Sequence, residues 1–75
     1  MTFELQYQGF DVIVVSPPTI EGKYTLIIGK LITAYPIIKK VRGRRYRILW
    51  TRDYGKRFNR LLRGAFRQYL LETTS

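Results

Sequence analysis

Residues 39–67 read KKVRGRRYRILWTRDYGKRFNRLLRGAFR, and the fold turns on how this stretch is read. It holds 12 of the chain's 14 cations and a single acid, Asp53. Apolar residues recur through it, among them Tyr46, Ile48, Trp50, Phe58, Leu62 and Phe66. A solvated basic tail lacks the apolar half that folding needs. The stretch therefore predicts ordered structure with a greasy face and a cationic face.

Its first half predicts a hairpin. Ile37 to Arg42 and Arg45 to Thr51 flank Gly43-Arg44, which suits a two-residue turn. A regular ladder would pair Arg42 with Arg45, Lys40 with Arg47 and Ile38 with Leu49 on one face. Val41, Lys39 and Ile37 would then share the other face with Tyr46, Ile48 and Trp50, which makes Lys39 a misfit among apolar neighbours. Four cations crowding one face repel each other across the strands. An anion bound there would relieve that repulsion. Trp50 has two readings, a stacking platform for a base or a core residue, and its shared face with Tyr46 and Ile48 favours the core.

The second half predicts an amphipathic helix. Asp53 is a suitable N-cap. Tyr54, Phe58, Leu61, Leu62, Ala65, Phe66, Tyr69 and Leu70 recur at three- and four-residue spacing, so they fill one arc. Lys56, Arg57, Arg60, Arg63 and Arg67 fill the opposite arc with no acid among them. Solvated faces normally mix signs. Gly64 weakens the helix, and its missing side chain near the cationic arc would let a partner's backbone approach.

Upstream, two further hairpins are expected. Phe3, Leu5 and Tyr7 alternate with Glu4 and Gln6, and Gln8-Gly9 suits a type I′ turn before Phe10 to Val15. That turn pairs Tyr7 with Phe10, Leu5 with Val12 and Phe3 with Val14 on one face. Ser16-Pro17-Pro18-Thr19 ends the strand, and residues 16–23 read as a loop. Tyr24 to Ile28 and Leu31 to Tyr35 flank Gly29-Lys30, a type II′ signal. Both of these strands are apolar on both faces. A face pairing Ile27 with Ile32 would either be covered by the helix, the favoured reading, or meet a second copy in a homodimer.

The fold class expected is α+β: a small antiparallel sheet or open barrel of three hairpins, five to six strands, followed by the helix. At 75 residues the chain is expected to be one small basic domain, residues 1–75. In its size, its basicity and its order of hairpins before a helix, it is similar in architecture to the small SH3-barrel chromatin proteins of archaea. That likeness implies a barrel.

Charge and composition narrow the function. Residues 1–35 carry two cations and three acids, net −1, whereas residues 36–75 carry twelve cations and two acids, net +10. Nine of the fourteen cations are arginine, whose planar fork matches phosphate and stacks on bases. With neither cysteine nor histidine there is no disulfide, no thiolate and no histidine-based zinc site. Metal-dependent phosphodiester chemistry needs clustered carboxylates, which five scattered acids do not supply, so an enzyme is not expected and no cofactor or metal is. The apolar runs are too short for a membrane span, no signal peptide is visible, and an intracellular protein of cytoplasm or nucleoid is expected.

The partner expected is nucleic acid, DNA or RNA, gripped by its phosphate backbone. The candidate contact residues are Lys40, Arg42, Arg44, Arg45 and Arg47 on the hairpin, with Lys56, Arg57, Arg60, Arg63 and Arg67 on the helix. The alternative is a protein-interaction module or homodimeric adaptor that grips an acidic partner. Membrane-surface binding by the helix is a third class, disfavoured because the core needs the helix's apolar arc.

Overall fold

A computed structural model of the chain describes residues 1–74. Among the described residues, seven strands precede one helix: β1 (Thr2–Tyr7), β2 (Phe10–Val15), β3 (Gly22–Lys23), β4 (Thr25–Ile28), β5 (Ile32–Ala34), β6 (Ile37–Arg42), β7 (Arg45–Leu49) and α1 (Lys56–Thr73). They form two antiparallel sheets of order β1-β2-β4-β5 and β3-β6-β7, with the helix at the C-terminal end. The fold is therefore α+β. The sheets stay separate and do not close into the barrel that the architectural likeness implied. The expected loop 16–23 also contains β3, whose Gly22 and Lys23 pair with Ile38 and Ile37. A two-residue strand is too short to leave a period in sequence.

The first hairpin has the register its sequence predicts, with Phe3 opposite Val14, Leu5 opposite Val12 and Tyr7 opposite Phe10. Gln8 and Gly9 have φ of 50° and 82°, the two positive values that a type I′ turn needs. Alternation then buries Leu5, Val12 and Val14 and leaves Glu4, Gln6 and Asp11 exposed.

The middle hairpin differs from expectation by one residue. Gly29 and Lys30 do form a turn, closed by the Leu31 N–H donating to the Ile28 carbonyl at 3.0 Å, but Leu31 stays in the loop. The extra residue sets Ile28 opposite Ile32 and Ile27 opposite Thr33. A one-residue slip reverses every side chain. Ile32 therefore packs on the core while exposed Thr33 takes the outward place beside Ile27.

The core lies between the inner face of the four-stranded sheet and the helix. Val12, Val14, Leu26, Ile28 and Ala34 meet Leu62, Ala65, Phe66 and Tyr69, with Tyr24 and Ile38 closing the sides. Phe66 is the hub, in edge contact with Tyr24 at 5.4 Å and Trp50 at 5.9 Å, and stacked on Tyr69 at 5.6 Å. Such aromatic pairs add about 0.5–1.5 kcal/mol each beyond the apolar area they bury. Tyr24 also donates its hydroxyl to the Ile20 carbonyl at 2.7 Å, which ties the proline-containing loop to the core. The Tyr24 N–H bonds the Pro36 carbonyl at 2.8 Å and links the two sheets.

The helix starts at Lys56, not at Tyr54. Its N-cap is Gly55, at φ 88°, with no side-chain cap. Asp53 is thus not the N-cap. Its Oδ1 accepts from the Gly55 N–H at 2.9 Å and from the Asn59 amide at 2.8 Å, while Asn59 Oδ1 accepts from the Tyr54 N–H at 3.0 Å. This clasp ties the approach segment to the first turn of the helix. Those two donors hold the Asp53 carboxyl below the usual carboxylate range, with a smaller contribution from the Arg63 charge.

Candidate functional site

The basic hairpin carries a bulge, and the bulge rearranges its faces. Pairing runs Ile37–Leu49, Ile38–Ile48, Lys39–Arg47 and Lys40–Tyr46, then resumes at Arg42–Arg45 after a shift between Lys40 and Arg42. Val41 is the extra residue. The expected Lys40–Arg47 and Ile38–Leu49 pairs are therefore replaced. Lys39 leaves the apolar side and faces Arg47, whereas Lys40 moves across from Tyr46. A bulge that adds one residue to one strand re-aims the side chains on either side of it. Lys39, Arg42, Arg45 and Arg47 then share one face, so the cluster of four cations survives with Lys39 in the place of Lys40.

Beyond Ile38 the hairpin leaves the core. All residues from Lys39 to Arg47 are exposed, including Val41 at 57% and Tyr46 at 40%. Tyr46, expected on the same face as Trp50, is not among the residues packed on the core. The outer part is an arm, a two-stranded ribbon with six cations, Lys39, Lys40, Arg42, Arg44, Arg45 and Arg47, and no acid. Arg44 sits in its turn, next to Gly43 at φ 57°.

At the root of the ribbon, Trp50 is half-buried on the core with an edge against Phe66. That bears out its core reading. The Arg63 guanidinium lies over the same ring, 5.9 Å from its centre. Arg63 therefore joins the helix cations to the ribbon. Arg60 and Arg67 flank Arg63 at three- and four-residue spacing and lie on the same exposed side of the helix. Arg52 lies over the Tyr54 ring at 5.5 Å, in the segment between ribbon and helix.

At the other end of this arc, Lys56, Arg57 and Arg60 line a cleft of about 640 Å³. Phe10, Leu31, Phe58 and Leu61 supply its apolar surface, and Gln8 also lines it. Phe58 was expected in the core-facing arc. It is half-buried, yet it is not among the residues packed on the core. The cleft was not legible in sequence, because it joins the turns of the first two hairpins to the start of the helix.

All ten expected contact residues are exposed. Arg42, Arg45 and Arg47 stand together. Lys40 lies on the opposite face of the ribbon, and the five helix cations run from the cleft to Trp50 and beyond. Gly64 is not open to a partner, because the Tyr7 side chain occupies that space. No group of three or more metal-ligating side chains occurs among the described residues. No helix among them is long and apolar enough to cross a membrane. Comparison with protein-family models, curated proteins and solved structures finds no match.

Proposed function

We propose that this chain is a nucleic-acid-binding protein that holds the phosphate backbone along a track from the ribbon, through Arg63 over Trp50, to the cations of the helix. The observation that carries the reading is the ribbon itself: six cations without an acid on an arm that the core does not use. Like charges set opposite each other, as Lys39 and Arg47 are, destabilise a sheet. A polyanion in contact with that face turns the cost into affinity.

The shape favours duplex DNA. A two-stranded β-ribbon fits the B-form major groove, about 12 Å wide, whereas the deep, narrow major groove of A-form RNA excludes it. The role is binding without catalysis, with Lys39 added to the ten candidate contacts. A homodimer through β4 and β5 has less support, since Thr33 rather than Ile32 stands opposite Ile27.

Binding to duplex DNA, duplex RNA and polyglutamate, each titrated with salt, tests the reading. Duplex DNA should bind with the steepest salt dependence, because counterion release scales with the phosphates neutralised. Equal or tighter binding of polyglutamate, with a shallow slope, would replace nucleic acid with an acidic protein partner.

A further inference from the structure

The cleft beside the helix start differs chemically from the rest of the cationic track. The ribbon spreads its cations over an exposed arm, with Val41 and Tyr46 standing out among them. The cleft sets three cations against an apolar floor that contains two phenylalanines. Phe58 is the informative residue. An aromatic ring on an amphipathic helix normally serves the core, but this one is half-buried without joining it. Leu31, pushed into the loop by the one-residue shift of the middle hairpin, is 50% exposed on the same cleft. An apolar floor left uncovered beside guanidinium groups suits a ligand with both a flat apolar part and an anionic part.

We infer that this cleft takes one unpaired nucleotide of a single-stranded segment, its base against Phe10 and Phe58 and its phosphate on Lys56, Arg57 and Arg60. The inference rests on the nucleic-acid reading and adds single-strand recognition to it. Charge complementarity is the first support, since the cleft's lining includes no acid. Continuity is the second. Arg60 lines the cleft, Arg63 three residues on covers Trp50, and Trp50 roots the ribbon. A strand leaving the ribbon could follow these arginines into the cleft. Gln8, also in the lining, donates one amide hydrogen to the Tyr7 hydroxyl at 3.4 Å, which leaves its second N–H and its carbonyl for a base edge. An acidic peptide with an apolar side chain has a related chemistry. A nucleotide, however, combines a π-face and a phosphate in one unit, matching an aromatic floor beside a cationic wall.

The experiment compares the parent chain with Phe58→Ala and Phe58→Tyr. Each is measured by fluorescence anisotropy against a labelled oligothymidylate, a blunt DNA duplex and an acidic leucine-containing peptide, alongside thermal unfolding. Phe58→Ala should weaken oligothymidylate binding by about 5- to 150-fold, the effect of losing one base–aromatic stack. It should leave duplex affinity within about twofold and Tm nearly unchanged. Phe58→Tyr should restore single-strand binding. Unchanged single-strand affinity in Phe58→Ala, or equal losses for single strand and duplex, would overturn the inference while the nucleic-acid reading stands. Peptide binding that depends on Phe58, with single-strand binding that does not, would assign the cleft to a protein partner. A parent chain that binds neither nucleic acid would overturn both readings.

Discussion

The Tyr7 side chain from β1 covers Gly64 of the helix, and a Cβ placed there would collide with its hydroxyl and with the Cζ and Cε2 ring atoms. The glycine is therefore a packing requirement between the first strand and the helix. Ordinarily Gly→Ala within a helix stabilises by up to about 1 kcal/mol. Here overpacking costs about 1–3 kcal/mol, because the half-buried Tyr7 ring must shift from its place against the core to make room. Gly64→Ala should therefore lower Tm. In a Tyr7→Ala background the sign should reverse, since the colliding ring is gone. A double-mutant cycle by thermal unfolding reads this coupling directly. A rise in Tm for Gly64→Ala alone would contradict the contact.

The bulge at Val41 makes an opposite pair of predictions for two adjacent lysines. Lys39 stands across from Arg47 and Lys40 across from Tyr46. Lys39→Glu should convert a repulsive cross-strand pair into an attractive one and stabilise the chain by about 0.2–1 kcal/mol. Lys40→Glu gains no such partner and should be near neutral. A regular ladder would reverse the two results. Denaturant melts of both variants distinguish them. Lys39→Glu should also weaken duplex binding, so stability and affinity move in opposite directions.

Arg47 and Arg60 sample the two ends of the proposed track. Both side chains are exposed, and neither replacement removes core volume. Arg47→Glu and Arg60→Glu should therefore melt close to the parent. Each should lower the slope of log affinity against log salt by about 1 and weaken binding across DNA sequences alike. If both variants fold and bind duplex DNA and RNA as tightly as the parent, these cations do not contact nucleic acid.

The clasp at Asp53 should show in the acid limb of the stability curve. Its folded-state pKa lies below the ordinary 3.8 because the ionised carboxylate accepts from the Gly55 N–H and the Asn59 amide. A depressed pKa means the folded state favours the charged form. The contribution is then fully present above 3.8 and is lost as pH falls through the lowered folded value. Asp53→Asn should remove this part of the pH dependence and destabilise the chain at neutral pH, and thermal melts from pH 2 to 7 measure both. Parallel curves for parent and variant would show that the clasp does not contribute.

Much of the fold was readable because its signals are local. Strict alternation from Phe3 to Tyr7 and a Gln8-Gly9 turn determine the first hairpin down to its pairs, since each residue's face follows from the period and the turn length. The amphipathic helix and the concentration of cations after residue 36 are equally plain, because 3.6-residue periodicity and charge need no partner to be seen. What the tertiary structure decided lies at single-residue shifts and at arc edges. Nothing local marks Val41 as a bulge or Leu31 as loop, yet each reverses the faces of its strand, sending Lys39 outward and Ile32 inward. Phe58 lies at the edge of the apolar arc, where the neighbouring element decides between core and cleft. Gly64 could have welcomed a partner's backbone, and only the meeting of β1 with the helix gave that space to Tyr7. The sequence thus determined which elements form and where charge concentrates. Packing between elements distant in the chain decided which side chains remain free to meet a ligand, because that depends on contacts no local pattern encodes.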